Sequence, residues 1–353
     1  MNAHVVMTGT IRLADFRDAA DVGRIEAFVT EAGGSAFHRP AWLMATERGT
    51  GQRALGLIHE TGGAITGWLP LSDVHSALFG RALVSSGFAV GGGILATAGG
   101  AVEDLSCAAE ELALRYGAST VEFRGPLAAG SWDSMEGRHA GFEAPLAGDD
   151  EAQLLAIPRK ARAEVRKGLA NELEIRTGSG AADLDAHYEC YSQSVRNLGT
   201  PVFPRALFAA VIEAFGERAD ILTVLCAGRP VASVLSLYHD DAVLPYWGGG
   251  TFAARGLRAN ERMYYELMCH ARRKGMHRFD FGRSKTGSGP YHFKKNWGFE
   301  PRPLIYRVWS APGTERRNID PTDEGYSAKI ALWKRLPLPV ANAIGPWIAR
   351  GLG

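Results

Sequence analysis

The sequence is short of several features that mark function classes. Its four cysteines, Cys107, Cys190, Cys226 and Cys269, are scattered and form no Cys-x-x-Cys pair. That spacing offers neither a zinc motif nor a disulfide framework. It suits reduced thiols packed in the interior of a cytoplasmic protein. A dominant charge is missing too: 39 Lys and Arg stand against 38 Asp and Glu, for a net charge of +1. No global field advertises nucleic acid or membrane, so a polyanion has to be met by a local patch. The opening MNAHVVMTGTIRLADF has no basic start followed by an apolar block, and no signal peptide is expected. Residues 82–102 carry no charge, yet Gly87, Gly91, Gly92, Gly93, Gly99 and Gly100 sit there, which points to turns rather than a spanning helix. No Gly-x-Ser-x-Gly elbow occurs, and Cys269-His270 are helix neighbours whose side chains diverge. Nucleophilic catalysis is therefore not expected.

What is present is a pattern that occurs twice. With 353 residues, 46% hydrophobic and 22% charged, the chain is long enough for two cores. In the first half, helices over 21–32 and 40–48 precede strands over 53–60, 64–71 and 82–90 and then Gly91-Gly92-Gly93. A helix over 101–116, closed by Gly117, leads to a strand at 121–125. In the second half, strands over 220–227, 230–239 and 242–247 precede Gly248-Gly249-Gly250. A helix over 260–274, stopped by Gly275, leads to a strand at 278–283. The separations agree: Gly93 to Val121 is 28 positions and Gly250 to Phe279 is 29. This reads as an internal duplication. Each copy is an antiparallel meander followed by a right-handed helical crossover to a parallel strand. That is the layout of the GNAT acyltransferase fold. The expected class is α/β (α+β), with two tandem GNAT-like domains over 1–148 and 149–312. A tail over 313–353 packs back on the first domain or on a membrane surface.

The densest run of polar and aromatic residues is His277 to Phe299, HRFDFGRSKTGSGPYHFKKNWGF. A strand tip opens into a loop freed by Gly282, Gly287 and Gly289, then into Tyr291, His292, Lys294, Lys295 and Trp297, the composition of a site or of a basic surface helix. Between the copies, residues 151–170 predict one basic helix carrying Arg159, Lys160, Arg162, Arg166 and Lys167. It is either a solvated face or a phosphate-contacting one. Helices over 184–196 and 204–216 follow. A polar break over 311–325 precedes a tail in which Trp333 and Trp347 lie beside Lys334, Arg335 and Arg350, as in an interfacial helix or a segment packed on its own protein.

Asp280-Phe281-Gly282-Arg283-Ser284, Ser288-Gly289-x-Tyr291 and Phe293-Lys294-Lys295-x-Trp297-Gly298-Phe299 resemble the FemAB-related proteins, in particular the branch found with exosortase (PEP-CTERM) and exopolysaccharide gene clusters. Phe37 to Trp42, Leu69-Pro70-Leu71, Leu78 to Arg81 and Gly91 to Leu95 extend the resemblance over roughly residues 30–310. It implies tandem GNAT-like domains without a metal or cofactor. It also implies transfer of an amino acid from aminoacyl-tRNA to an amine of a peptidoglycan precursor. Arg196 matches the family's substrate-contacting Arg, Phe293-Lys294 its Phe-Lys near the acyl donor, and Arg39 and Trp42 its N-terminal contact pattern. The chain departs from the classical members in lacking a basic residue at Ala45 or Thr46 and an inserted coiled-coil arm. That loosens the tie to peptidoglycan and leaves a cell-envelope or exopolysaccharide precursor as acceptor.

Acyl transfer to an amine needs a neutral amine, a stabilised oxyanion and two aligned substrates. Backbone N–H groups near Tyr246-Trp247-Gly248 and Lys294 or Lys295 are the oxyanion candidates. Asp280 is the one carboxylate in the motif, as base or as structural partner of Arg283. Tyr291 is an acid, a positioner or a core residue. Arg283, Ser284 and Phe293 complete the expected substrate contacts. CoA-using GNATs cradle pyrophosphate in a Gln/Arg-x-x-Gly-x-Gly/Ala loop. Here Arg255 is present, but the glycine positions hold Arg258 and Asn260. Aminoacyl-tRNA or a carrier-bound acyl group is therefore expected over acyl-CoA, with Arg159, Lys160 and Arg166 beside Arg255 and Asn260 at the donor end. An acyl-CoA-dependent N-acyltransferase and a non-catalytic scaffold are the alternatives. The expected setting is the cytoplasm, at the inner face of the membrane where the tail makes contact.

Overall fold

The structure, a computed structural model, describes residues 9–314 and 324–353, with 324–328 by backbone only. The expected polar break therefore lies largely outside the described residues. So does the first half of the stretch read for a signal peptide. The strands in chain order are β1 (Thr10–Leu13), β2 (Arg53–Thr61), β3 (Ala64–Ser76), β4 (Gly80–Ser85), β5 (Leu95–Ala96), β6 (Thr120–Phe123), β7 (Asp133–Met135) and β8 (His139–Pro145). They continue with β9 (Glu174–Gly178), β10 (Ala219–Cys226), β11 (Arg229–His239), β12 (Ala242–Gly250), β13 (Arg278–Lys285), β14 (Pro301–Pro303) and β15 (Tyr306–Ser310). The helices are α1 (Ala19–Glu31), α2 (Pro40–Thr50), α3 (Ala101–Tyr116), α4 (Asp150–Ala156), α5 (Arg159–Ala170), α6 (Ala181–Leu198), α7 (Arg205–Phe215), α8 (Phe252–Leu257), α9 (Ala259–Arg273), α10 (Gly289–Asn296), α11 (Glu324–Arg335) and α12 (Leu338–Ala349).

Two sheets form. One runs β1-β2-β3-β4-β6-β15-β7, with β5 beside β3; the other runs β14-β8-β13-β12-β11-β10-β9. Read from opposite ends, the order is the same: four antiparallel strands, a parallel neighbour reached through a helix (β6, β13), then an antiparallel strand and a short edge. In each sheet that last antiparallel strand comes from the far side of the other copy in sequence: β15 follows the second copy, and β8 precedes it. The compact units are accordingly interleaved. The first holds the chain up to Glu136, a segment from Ile305, and Arg350–Gly353; the second holds Gly137–Leu304 and runs on through Ala349. The contiguous division at 148 and 312 does not describe them, because β8 and β15 satisfy their backbone groups in the opposite sheet from the one their position suggests. The tail does not form a separate segment either. α11 and α12 belong to the second unit, where α6 carries them: the Arg196 guanidinium donates to the Lys334 carbonyl at 3.1 Å, and Asn342 Nδ2 donates to Ser192 Oγ at 3.3 Å.

The predicted helix over 151–170 is two helices. Ile157 is extended (φ −67°, ψ 131°) because a residue before proline is pushed out of the helical region, and Pro158 caps α5. The expected strand over 82–90 ends at Ser85, since Ser86 (φ 42°) and Phe88 (φ 65°) leave the β region. In the second unit one core cluster joins the sheet residues Phe142, Leu222, Val234, Val243, Phe279 and Phe281 to Val165 of α5 and Met263 and Leu267 of α9, all buried. In the first unit Leu69, Leu71, Leu83, Leu105, Val121 and Phe123 form the equivalent layer.

Candidate active site: a gap between splayed strands

In the second unit, β12 and β13 run parallel but pair only at Ala242↔Arg278 and Val243↔Phe279. Beyond that point each strand pairs only with its outer neighbour. The cause is local. Tyr246 is an extra residue on β12, between Trp247↔Leu235 and Pro245↔Ser236. β13 carries its own irregularity between Asp280↔Glu143 and Arg283↔Gly141, where Gly282 takes φ +66°. A bulge bends and twists its strand, and two bulges on facing strands open a gap. Backbone N–H and C=O groups along this edge of β12 lack a ladder partner in β13.

The three glycines ending β12 are there because helices press on both faces. A Cβ on Gly249 would lie 2.5 Å from Ser194 Cβ of α6, one on Gly250 2.5 Å from Asn260 Oδ1 of α9, and one on Gly248 3.0 Å from the Tyr264 hydroxyl. Tyr264 thus spans the base of the gap: its hydroxyl reaches Gly248 on β12, and its ring meets Phe281 of β13 at 4.7 Å, edge to face. Phe293 and Trp297 close round it at 5.8 and 6.2 Å. Burial pushes the Tyr264 phenol up to about 12, so it stays a hydroxyl at neutral pH. Sequence reasoning missed this residue. The signal was the i, i+4 pair Asn260/Tyr264 on one helix face, matched to alternate glycines 250 and 248.

Lys294 is buried, and its ammonium donates to the carbonyls of Phe281 (2.6 Å), Gly282 (3.3 Å) and Arg283 (3.1 Å). An ammonium has three protons, and all three are committed to the β13 bulge. Lys294 therefore clasps one wall of the gap rather than offering a free donor to an oxyanion. Burial lowers its pKa to about 8, opposed by the charge of Asp280. Asp280 accepts from Gly282 N at 2.9 Å, and burial raises its pKa. Lys295 is exposed, its amine 5.8 Å from the half-buried ring of Tyr291. Tyr291 rests edge-on against Phe142 at 5.4 Å. Ser284 is buried with its hydroxyl unpaired, Arg283 is half-buried, and Trp247 is buried against Phe208 with Tyr246 beside it. The structure thus brings Tyr246, Asp280, Arg283, Ser284, Tyr291, Phe293 and Lys294 onto the elements that frame the gap.

Other expected site residues serve elsewhere. Trp42 is fully buried in the first unit, donating to the Gly87 carbonyl at 3.1 Å, and Arg39 is ion-paired with Glu26. Arg39 ties the start of α2 to α1, and Trp42 ties α2 to the loop after β4. Arg196 spends a guanidinium nitrogen on the tail helix α11. On the donor side, Arg159, Lys160, Arg166 and Arg255 are exposed. α5 packs its Gly168 against the start of α9, 2.8 Å from the Arg258 carbonyl by its Cβ position. Arg258, left-handed at φ 53°, caps α9 and pairs with Glu164 at 2.6 Å, and Glu261 sits in the first turn. Two carboxylates and a short preceding helix occupy the place where a pyrophosphate cradle needs free N–H groups.

In the first unit the corresponding space is closed. β4 and β6 pair at three positions, Ala82↔Thr120, Leu83↔Val121 and Val84↔Glu122. Beyond them Arg124, 5% exposed, donates to the carbonyls of Ser86 (3.3 Å) and Ala89 (2.5 Å). Its backbone N–H donates to Ser85 Oγ at 2.7 Å. Gly93 sits against Gly125 so tightly that a Cβ would come within 3.2 Å.

Residues 158–295, in the second unit, match the family model described as Acetyltransferase (GNAT) domain. No match was found among curated proteins. Among solved structures, the fold is similar to FemX (TM-score 0.62, 15% identity, 80% of this chain and 95% of that one). It is also similar to a tandem GNAT protein from the clavulanic acid biosynthesis pathway (0.57, 14%, 87% and 100%). L-PGS from Bacillus licheniformis is a third (0.54, 14%, 95% and 97%). The chain has a tandem GNAT-like fold. The matched family region contains both splayed strands.

Proposed function

We propose that the second unit is an acyltransferase that moves an aminoacyl or acyl group onto an amine of a cell-envelope, peptidoglycan or exopolysaccharide precursor, in the manner of the FemAB-related proteins. The observation that carries this reading is the gap between β12 and β13 inside the region matched by the GNAT model. The carbonyl of the donor lies in the gap where β12 no longer ladders to β13, and the β12 backbone near Tyr246-Trp247-Gly248 faces the developing negative charge. The Tyr264 hydroxyl is positioned to hydrogen-bond the same oxygen or the leaving group. Asp280, its pKa raised by burial, accepts a proton from the attacking ammonium more readily than an ordinary carboxylate. Lys294 fixes the bulge that sets the width of the gap.

The crowded, carboxylate-bearing start of α9 supports aminoacyl-tRNA or a carrier-bound acyl group as donor over acyl-CoA. The exposed cations Arg159, Lys160, Arg166 and Arg255 would meet its phosphates, and Phe252, 78% exposed at the start of α8, offers a face for a base. The description of the matching family favours an acetyl-CoA reaction as second reading. Incubating the protein with isotope-labelled aminoacyl-tRNA or acetyl-CoA and an amine-bearing nucleotide-linked precursor, followed by mass spectrometry, separates the two. Transfer from aminoacyl-tRNA alone is expected. Transfer from acetyl-CoA alone would replace the donor assignment, and transfer from neither donor would count against the acyltransferase itself.

A further inference from the structure

We infer that the outer face of α12 is a docking surface for an anionic lipid bilayer. α12 lies on the second unit with its small residues inward: Ala341, Gly345 and Ala349, at i, i+4 and i+8, are buried. A Cβ on Gly345 would come within 3.1 Å of the Val202 backbone N. The side turned to solvent is the apolar one. Val340 is 44% exposed, Ile344 42% and Trp347 51%, at i, i+4 and i+7, with exposed Ala343 between them. A surface helix ordinarily does the reverse, and a contiguous apolar stripe left in water marks an interaction site. On α11, Leu332 is 66% exposed, with Arg335 one turn further on.

The charge of this segment selects the occupant. From Lys329 to Gly353 the sequence holds Lys329, Lys334, Arg335 and Arg350 and no acidic residue, and all four are exposed. A second copy seated on the same face would bring two cationic rims together, which costs energy. An anionic headgroup layer complements them. Twelve residues cannot cross a bilayer, and among the described residues no helix is long and apolar enough to do so. α12 therefore lies in the plane of the interface. Val340, Ile344 and Trp347 enter the acyl boundary and the cations stay at the headgroups. This surface does not depend on which donor the second unit uses.

The test is flotation of the full chain with vesicles of phosphatidylcholine, with and without about one-third phosphatidylglycerol. The wild type is expected to float with the anionic vesicles, less so as salt rises, and weakly with the neutral ones. The double variant Ile344→Gln, Trp347→Gln should lose at least about tenfold in partitioning, and Arg335→Gln, Arg350→Gln should lose the preference for phosphatidylglycerol. Should the first variant misfold, quenching of Trp347 by brominated lipid, taken as the difference from Trp347→Phe, reads insertion directly. Absence of flotation, flotation unchanged in Ile344→Gln, Trp347→Gln, or a concentration-dependent dimer abolished by that variant would overturn the inference. Transfer to a soluble amine is unaffected in each case, so the two proposals fail separately.

Discussion

Replacing Lys294 with methionine distinguishes a clasp from a catalytic donor. Methionine keeps most of the buried volume and removes the ammonium. Burial lowers the amine from its ordinary 10.5 to about 8, which corresponds to a charging cost of about 3 kcal/mol. Against this stand three bonds to the carbonyls of Phe281, Gly282 and Arg283. At about 1.5 kcal/mol each, the low end for a charged donor, they outweigh that cost by about 1 kcal/mol. Lys294→Met should therefore destabilise the second unit by about 1 kcal/mol in urea unfolding, and kcat should fall with it because the bulge relaxes. Lys295→Met, at an exposed position, should shift stability by less than about 0.5 kcal/mol. The pH dependence has a fixed sign. Below pH 8 the native and unfolded chains both hold the Lys294 proton and the burial cost is constant. Between about 8 and 10.5 the unfolded chain holds a proton that the native chain has released, so stability rises with pH in that window. The rise should vanish in Lys294→Met. An unchanged urea midpoint with a large fall in kcat would refute the clasp and put Nζ on the substrate.

Tyr264→Phe keeps the ring packing against Phe281 and removes only the hydroxyl at Gly248. It should lower kcat by about 10- to 100-fold without moving the melting temperature, as measured by steady-state kinetics and calorimetry. Gly249→Ala places a Cβ 2.5 Å from Ser194 Cβ, so overpacking should cost about 1–3 kcal/mol; chemical denaturation checks it. Arg159→Ala, Lys160→Ala, Arg166→Ala together should reduce the slope of log affinity against log salt for a tRNA donor by about 2, three charges at about 0.7 each. Equal slopes would remove α5 from the donor site. Arg124→Ala should destabilise the first unit and leave transfer kinetics intact, because the space it bridges is closed.

The duplication, the crossover helices and the second strand pair were legible because they rest on local signals: apolar periodicity, glycine stops and the run at 277–299. Pairing partners were not. Nothing in the period-two pattern of residues 139–145 says that they join β13, or that 306–310 return to β6, so a contiguous domain division was the natural reading. The two triple glycines look alike in sequence and do different work. Gly248–Gly250 pair in register with β11 and are squeezed between α6 and α9, whereas Gly92 takes φ +90° in an irregular loop. The bulge at Tyr246 also escaped, since an extra residue exists only relative to the register of the neighbouring strand. Lys294 was found by motif, but its direction, into the strand carbonyls, depends on the turn of α10 and could not be read from spacing.

A cocrystal structure with a hydrolysis-resistant aminoacyl-adenosine tests the central claim most directly. The acyl carbonyl is expected between residues 244–250 and 280–285, within hydrogen-bond distance of the β12 backbone, with the space between β4 and β6 empty of ligand. Ligand bound away from the β12–β13 gap, or β12 and β13 found paired along their length, would contradict the account.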